Sequence, residues 1–153
     1  MNHEPKILSV RERPGIAPLF ISYLQDAWSE VPGVIYEDSV MHSFDANKPM
    51  PQWYLLMKDG EPIGCAGLVT NDFVSRMDLW PWLVALYIDP EHRSRGYAGL
   101  LIQRVVEDAR DGGFENLYLT TDLEEFYERY GFRYIGDGYD VSGEPVRMFE
   151  REI

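Results

Sequence analysis

A buried strand followed directly by an amphipathic helix most constrains what this chain can fold into. Leu83–Ile88 is a continuous apolar run typical of a buried strand. The segment 97–111 then carries apolar residues at helical spacing, and Asn116–Thr121 is again strand-like. A strand–helix–strand connection of this kind requires its two strands to be parallel in one sheet. The sequence therefore predicts at least one parallel strand pair.

The segments on either side of this unit predict antiparallel pairing. Asp59-Gly60 favours a hairpin turn, because both residues tolerate positive φ. The other predicted elements are strands at 6–11, 52–58, 63–70, 132–138 and 146–151 and helices at 16–28, 34–44 and 123–130. The predicted order is β-α-α-β-β-β-α-β-α-β-β, in one domain spanning residues 1–153. The predicted fold class is α/β (α+β), a mixed, mostly antiparallel twisted sheet of about seven strands with helices on both faces.

Composition and charge exclude several classes of protein. The chain carries 14 Lys and Arg against 26 Asp and Glu, a net charge of 14 − 26 = −12, and has no Lys/Arg stripe that would bind nucleic acid. No apolar run is long enough to cross a membrane, and the one cysteine, Cys65, suits a reducing compartment, so we expect a cytoplasmic protein. The histidines, His3, His42 and His92, are scattered, so no metal site is expected. The acidity serves solubility and weakly favours cationic partners.

The start of the helix at 97–111 is arranged to hold an anion. Helix N-termini carry partial positive charge, yet no Ser, Thr, Asp or Asn occupies the N-cap position and the first acid inside the helix is Glu107. Arg93 and Arg95 stand just before the helix, and Gly96 and Gly99 let a ligand approach the backbone closely. These features favour a phosphate-binding turn; the alternative is a solvated loop with an uncapped helix.

Known phosphate-binding loops match this turn only in part. The terminal Gly-Lys-Ser/Thr of a P-loop is absent. A dinucleotide-binding fold has Gly-x-Gly-x-x-Gly close to a strand end, whereas here Ile88 and Gly96 are well separated and the spacing is Gly-x-x-Gly. Asp122, at the end of a later strand, is similar to a ribose-binding acid. A dinucleotide-binding oxidoreductase therefore remains an alternative.

Two segments together resemble signature motifs of the GNAT superfamily of N-acetyltransferases. Arg93–Ala98 matches the Arg/Gln-x-x-Gly-x-Gly/Ala of that family's motif A, and Phe126–Phe132 resembles its Leu-Tyr-Glu-Lys-x-Gly-Phe motif. The predicted order of strands and helices also follows the family. The resemblance implies an enzyme that transfers an acetyl group from acetyl-CoA to a primary amine of a small-molecule or peptidic acceptor. In that family a chain of this size often forms a homodimer.

The resemblance also implies which residues hold the co-substrate. The pyrophosphate of acetyl-CoA would lie on the backbone of Arg93, Ser94, Arg95, Gly96, Tyr97, Ala98 and Gly99. The pantetheine arm would pair with the backbone of Leu86, Tyr87 and Ile88, in a strand that splays away from the next parallel strand and offers an N–H group to the thioester carbonyl. Tyr127 occupies the position of the family's tyrosine and would protonate the departing thiolate, since its ordinary pKa of about 10 is close to that of an alkyl thiol.

Several parts of this site stay open. Thr120 stands where many family members have Asn, so Thr120 or Thr121 is expected to replace it. The general base is water or one of four acids, Asp78, Glu91, Asp122 and Glu125, of which the last two also fit a capping box for the helix at 123–130. Cys65 is expected in the core, and the tryptophans and Tyr36 are expected to form core and acceptor-pocket wall. Polyamines, aminoglycosides, amino acids and protein N-termini are candidate acceptors. The alternative function is a non-catalytic acyl-CoA-binding protein.

Overall fold

The computed structural model describes residues 4–153, in which a seven-stranded sheet carries helices on both faces. The strands are β1 (Lys6–Ser9), β2 (Gln52–Lys58), β3 (Glu61–Val69), β4 (Trp82–Ile88), β5 (Asn116–Thr120), β6 (Arg133–Tyr139) and β7 (Pro145–Glu152). The helices are α1 (Ala17–Ala27), α2 (Gly33–Met41) and α3 (Tyr97–Asp111). Short 3-10 turns occur at Pro14–Ile16, Pro90–His92 and Tyr127–Tyr130.

The strand order across the sheet is β1-β2-β3-β4-β5-β7-β6. Among the described strands only β4 and β5 run parallel, with α3 as the crossover between them, and the other neighbouring pairs are antiparallel. The hairpin between β2 and β3 turns at Asp59 and Gly60, whose φ angles of 52° and 80° are positive as predicted. This mixed, mostly antiparallel sheet confirms the predicted fold class.

Side chains of β2 alternate between two cores, one on each face of the sheet. Tyr54 and Leu56 pack with α3, whose buried stripe includes Leu101. Trp53 and Leu55 pack on the opposite face, with α1 and α2. The sheet therefore separates an α3 side from an α1–α2 side, and the functional site draws residues from both.

The predicted helix at 123–130 is not present, so residues 4–153 form three α-helices where four were expected. Glu125 lies in the left-handed region at φ 60°, which interrupts a right-handed helix, and only the 3-10 turn at Tyr127–Tyr130 follows. The capping box expected for this helix does not form either. Instead the Leu123 N–H donates to Thr121 Oγ1 at 3.0 Å.

Gly67 on β3 is required by the close approach of Trp53 from β2. A Cβ atom at Gly67 would lie 2.5 Å from Trp53 Cε3 and 3.0 Å from Val84 Cγ2, and Trp53 is only 3% exposed, so its ring has little room to move. We expect Gly67→Ala to lower the free energy of unfolding by about 3 kcal/mol, because overpacking displaces side chains and backbone. Urea denaturation measures this loss.

Gly15→Ala is the matched control for that experiment. No atom lies within 4 Å of the Cβ position of Gly15. We therefore expect the free energy of unfolding of Gly15→Ala to differ from that of the wild type by less than about 0.5 kcal/mol. An equally small effect of Gly67→Ala would show that the Trp53 ring does not constrain β3.

Candidate active site

The parallel strands β4 and β5 separate soon after they meet. They pair at Trp82 and Tyr118, and the Tyr118 N–H donates to Pro81 O at 3.1 Å. Beyond this pair the described part of β4 continues to Ile88 without pairing to β5, so the two strands splay as the resemblance implies. A cavity of about 1050 Å³ is lined by residues of both strands, of α2 and of the loop after β3. We call it the splay cavity.

A bulge in β4 shapes one wall of the splay cavity. The pairing of β3 with β4 shifts register between Cys65 and Gly67, and Ala85 has a positive φ of 54°. The Ala85 carbonyl accepts hydrogen bonds from Trp28 Nε1 and Cys65 Sγ, both at 3.3 Å, which hold the bulge in place. Cys65 lies in the core, as predicted, and burial raises the pKa of its thiol, which stays protonated. The residue after the bulge, Leu86, lines the cavity.

The β4 residues predicted to hold the pantetheine arm divide between the two cores. Leu86 and Ile88 pack on the α3 side. Tyr87 packs on the α1–α2 side, where its ring centroid lies 6.2 Å from that of Tyr23 and 6.3 Å from that of Trp28. Both cores therefore anchor this strand, while its edge toward β5 stays open to a ligand.

The turn before α3 has the geometry expected of a phosphate-binding turn. Gly96, the N-cap residue, has φ 80°, and no atom lies within 4 Å of the position of a Cβ. Ser94 also has a positive φ, 63°, no side chain caps α3, and no acid lies in its first turn. The N–H groups of the first helical turn, from Tyr97 onward, therefore have no partner within the helix.

A second cavity, of about 630 Å³, lies at the same turn. Its lining residues are Arg95, Gly96, Tyr97, Leu100, Lys58, Glu4 and Pro5. Lys58, at the end of β2, lines this cavity together with Arg95 and Glu4, and its ammonium group pairs with Asp59 Oδ2 at 3.2 Å. The sequence did not point to Lys58, because only the folded sheet places β2 beside the start of α3.

Two residues of the predicted turn make contacts that the sequence did not suggest. Arg93 Nε donates to Ile88 O at 2.8 Å and its guanidinium carbon lies 5.3 Å from the centre of the Tyr87 ring, so Arg93 ties the turn to β4. Gly99 does not leave open space for a ligand. The Tyr130 ring covers it, and a Cβ at Gly99 would lie 3.0 Å from Tyr130 Cε1.

Tyr127 lines the splay cavity from the 3-10 turn after β5. Its ring packs against Phe126 and Phe132, at centroid distances of 4.9 and 6.0 Å. Burial raises the pKa of Tyr127 to about 12, and the neighbouring Tyr130 adds to the shift. The predicted match between this pKa and that of a thiol is therefore wrong, but the hydroxyl keeps its proton at physiological pH and is available as a donor.

Asp72, in the loop after β3, is a cavity carboxylate that sequence reasoning missed. It lines the splay cavity and accepts a hydrogen bond from Thr120 Oγ1, at the end of β5, at 3.3 Å. Burial raises the pKa of Asp72 to about 6, against the opposing effect of the Thr120 hydrogen bond. Tyr36 of α2 lines the same cavity. Burial raises the pKa of Tyr36 to about 12, and the charges of Asp72 and Glu30 contribute to that shift.

Asn71 fixes the loop that carries Asp72. Asn71 Oδ1 accepts the Val74 N–H at 3.0 Å, and Asn71 Nδ2 donates to Val74 O at 2.9 Å, as in an Asx turn. An Asn directly after a strand is a local signal for such a turn. The contact between Asp72 and Thr120 joins positions 48 residues apart, and no local pattern predicts it.

Of the four acids predicted as general-base candidates, the structure brings one to the splay cavity. Asp122 lines it and is exposed. Asp78 forms a surface ion pair with Arg76, through bonds of 2.9 and 2.8 Å. Glu91 and Glu125 are exposed and lie outside the cavity lining.

The two threonines that were expected to replace the family's Asn both line the splay cavity. Thr120 donates its hydroxyl proton to Asp72, whereas Thr121 accepts the Leu123 N–H. Thr121 therefore keeps a hydroxyl proton that can be donated to a ligand.

The predicted aromatic wall is formed by part of the aromatic set. Trp28, Trp53 and Tyr36 line the splay cavity. Trp82 is fully buried and packs on Tyr118 at a centroid distance of 5.5 Å, whereas Trp80 is exposed. Within residues 4–153 no group of three or more His, Cys, Asp or Glu side chains could hold a metal ion, and His3 lies outside that range. None of the described helices combines the length and apolarity needed to span a membrane.

The splayed parallel strands and the uncapped start of α3, set in a mostly antiparallel sheet, are the features that the resemblance to acetyltransferases implies. Residues 17–132 match the family model described as "Acetyltransferase (GNAT) family", which is more than half of the chain. The chain therefore belongs to the acetyltransferase (GNAT) family. This assignment overturns the alternative of a dinucleotide-binding oxidoreductase, whose fold has a mostly parallel sheet.

Solved structures of acetyltransferases have a similar fold. An acetyltransferase of the GNAT family from Streptococcus pneumoniae is 17% identical with a TM-score of 0.70, over 97% of this chain and 100% of that chain. Aminoglycoside 6′-acetyltransferase type Ii is 18% identical with a TM-score of 0.72, over 96% of both chains. An aminoglycoside 6′-N-acetyltransferase complexed with coenzyme A is 15% identical with a TM-score of 0.72, over 96% of both chains. No curated protein sequence matches the chain.

Proposed function

We propose that this protein is an N-acetyltransferase that transfers an acetyl group from acetyl-CoA to a primary amine. One observation carries the proposal: the splay cavity brings Tyr127, Asp72 and the bulge at Ala85 together between β4 and β5. Membership of the acetyltransferase family supports acyl transfer, and a solved structure of similar fold contains coenzyme A. The single cysteine, a buried free thiol, suits the reducing cytoplasm as its location.

The turn before α3 fits the diphosphate of acetyl-CoA. The open space at Gly96 admits an anion to the free N–H groups of the first helical turn, where the helix dipole attracts negative charge. Arg95 adds positive charge at the neighbouring cavity. From this turn the open edge of β4 leads to Leu86, where backbone groups are available for the amides of the pantetheine arm.

Residues of the splay cavity supply the proton transfers that acetyl transfer needs. Asp72 accepts a proton from the ammonium group of the acceptor, which frees the nitrogen lone pair. As the nitrogen bonds to the thioester carbon and the carbon–sulfur bond breaks, Tyr127 donates a proton to the departing sulfur. The second proton that the nitrogen loses as the amide forms restores Tyr127. Backbone N–H groups at the β4 bulge stabilise the negative charge that develops on oxygen.

This role of Asp72 predicts a pH dependence. Because its pKa is about 6, the carboxylate gains a proton as the pH falls through that value and then cannot accept one from the amine. Its neighbours Thr120 and Tyr36 keep their hydroxyl protons in this pH range and therefore do not replace it as the acceptor. We expect kcat/KM for the amine to level off above pH 6 and to fall about tenfold for each pH unit below it. Asp72→Asn reacts only with amine that is already deprotonated, so we expect its kcat/KM to rise steadily with pH and to show no break near pH 6. A wild-type profile that is flat from pH 5 to 7 contradicts the role.

Release of free thiol from acetyl-CoA, measured with and without an amine, tests the proposed function. We expect amine-dependent release, with one acetyl group added to the amine in its mass spectrum. The non-catalytic alternative predicts that coenzyme A raises the melting temperature while no amine gives thiol release. If coenzyme A neither raises the melting temperature nor is released, acetyl transfer is the wrong function.

A further inference from the structure

The carboxylate of Asp89, the residue that follows β4, is not used in the way its position in the chain suggests. Asp89 is the N-cap residue of the 3-10 turn at Pro90–His92, and an Asp at an N-cap ordinarily accepts a hydrogen bond from an N–H group of the turn that it precedes. Its side chain forms no such bond here. Instead, Asp89 Oδ1 accepts the hydroxyl proton of Tyr23 of α1 at 2.7 Å, a contact between positions 66 residues apart.

The backbone of Asp89 fixes where the turn before α3 begins. Its N–H donates to Ile63 O of β3 at 2.8 Å, and its carbonyl accepts the His92 N–H at 2.9 Å. The sheet and the 3-10 turn thus hold the backbone of Asp89, while α1 holds its side chain. Between this residue and Gly96 the chain has no other helix or strand, so the path of the turn depends on how Asp89 is held.

Tyr23 also supports the turn through the ring of Tyr87. The two rings meet edge to face, at 64° with centroids 6.2 Å apart. The guanidinium carbon of Arg93 lies 5.3 Å from the centre of the same Tyr87 ring, and Arg93 Nε donates to Ile88 O at 2.8 Å. Tyr23 therefore supports both ends of the segment between β4 and Arg93.

The position of Tyr23 limits what it can do for a ligand. It lines neither the splay cavity nor the cavity beside Arg95, so any effect on a ligand is transmitted through the residues that it holds. Burial raises the pKa of Tyr23, and the hydrogen bond to Asp89 raises it further, so the hydroxyl keeps its proton and remains the donor. The contact is therefore present throughout the physiological pH range.

We propose that Tyr23 is a positioning residue for the diphosphate of acetyl-CoA. By holding Asp89 it keeps the turn before α3 in the conformation that exposes the first N–H groups of the helix, before a ligand arrives. Without this hydrogen bond the turn adopts other conformations as well, and the apparent affinity falls with the fraction that remains competent to bind. This inference rests on the proposed function, since it assigns a role toward the same donor.

Tyr23→Phe removes the hydroxyl and keeps the ring against Tyr87. We expect the Kd of coenzyme A to rise about tenfold in isothermal titration calorimetry, because hydrogen bonds to charged groups are among the stronger ones. The KM for acetyl-CoA should rise similarly, while kcat at saturating acetyl-CoA stays within about twofold, because Tyr23 touches no reacting group. An unchanged Kd overturns the proposal.

A donor without the diphosphate separates positioning of the turn from general loosening of the fold. S-Acetylpantetheine carries the same thioester and pantetheine arm as acetyl-CoA but has no diphosphate or nucleotide. With an amine that the protein acetylates, we expect kcat/KM for S-acetylpantetheine in Tyr23→Phe to stay within about twofold of the wild-type value, and that for acetyl-CoA to fall about tenfold. Equal losses with the two donors would show that Tyr23 acts on β4 as a whole and would overturn the proposed role.

Tyr54→Phe is the matched control. Tyr54 also donates its hydroxyl proton to a carboxylate, Asp108 Oδ2, at 2.6 Å, but it lies on the α3 side of the sheet and contacts the C-terminal half of that helix. Its loss should lower the melting temperature and leave the Kd of coenzyme A within about twofold of the wild-type value. A tenfold weaker Kd in Tyr54→Phe would show that affinity follows stability alone, which contradicts a specific role for Tyr23.

A double-mutant cycle identifies the partner through which Tyr23 acts. In the Asp89→Ala background, Tyr23→Phe should leave the Kd of coenzyme A unchanged, because the hydrogen bond is already lost. Independent losses that multiply would assign the effect to another contact and overturn the link through Asp89.

The results distinguish this inference from the proposed function. A wild-type protein that does not bind coenzyme A contradicts both. A wild-type protein that binds coenzyme A with the same Kd as Tyr23→Phe contradicts the positioning role and leaves acetyl transfer intact. Binding without thiol release contradicts catalysis, and the Kd values of the cycle still decide the role of Tyr23.

Discussion

Gly96→Glu should bind coenzyme A at least about 100-fold more weakly than the wild-type protein. The new side chain places a carboxylate in the open space where we propose that the diphosphate lies. Two like charges about 4 Å apart near a protein surface repel by about 4 kcal/mol, and each 1.4 kcal/mol changes affinity about tenfold. The expected 100-fold loss is smaller than this repulsion alone would give, because salt screens part of it. Isothermal titration calorimetry with coenzyme A measures the change.

Two further variants separate charge from backbone strain. Gly143, between β6 and β7, has φ 84° and open space at its Cβ position, so Gly143→Glu carries the same strain and charge away from the turn before α3. Its affinity for coenzyme A should equal that of the wild type. Gly96→Lys keeps the strain at the turn but reverses the charge, and it should weaken binding far less than Gly96→Glu. Wild-type affinity in Gly96→Glu would remove the basis of the proposed function.

Tyr127→Phe should lower kcat about 100-fold and leave the affinity for coenzyme A unchanged. The substitution removes the proton donor of the splay cavity but keeps the ring that packs on Phe126 and Phe132. Loss of a general acid typically costs a factor of about 100 or more. Single-turnover measurement of acetyl transfer reports the chemical step separately from product release.

Tyr130→Phe is the matched control for Tyr127→Phe. Tyr130 belongs to the same 3-10 turn, but it covers Gly99 and is outside the lining of the splay cavity. Its kcat should therefore stay within about threefold of the wild-type value. Full turnover in Tyr127→Phe would assign the Tyr127 ring to packing alone and leave the departing sulfur to be protonated by water.

The parts of the fold that local signals specify were predictable from the sequence. The bounds of α3, its uncapped start and the Asp59-Gly60 hairpin all agree with the structure, because each depends on residues that are neighbours in the chain. The prediction of a helix at 123–130 was wrong, because the backbone there is not determined by neighbouring residues alone. Its composition suits a helix, but the backbone at Glu125 is held at a positive φ, which composition does not reveal.

The chemistry of the site was less predictable than its location. The motif around Tyr127 placed that residue in the cavity, but its raised pKa comes from burial that only the folded chain creates. Asp72 was missed because its significance depends on Thr120, which is distant in sequence, and on Tyr36 from α2. Lys58 reaches the turn before α3 in the same way, through the sheet. Such contacts cannot be predicted from the spacing of residues along the chain.

The separation of the two cores by the sheet has an evolutionary consequence. The aromatic wall of the splay cavity belongs to the α1–α2 side, whereas the helix start proposed to bind the donor belongs to α3 on the opposite face. Mutations of that wall can therefore recruit a new amine without disturbing affinity for the donor. A scaffold divided in this way can change one wall of the splay cavity step by step while the start of α3 stays as it is.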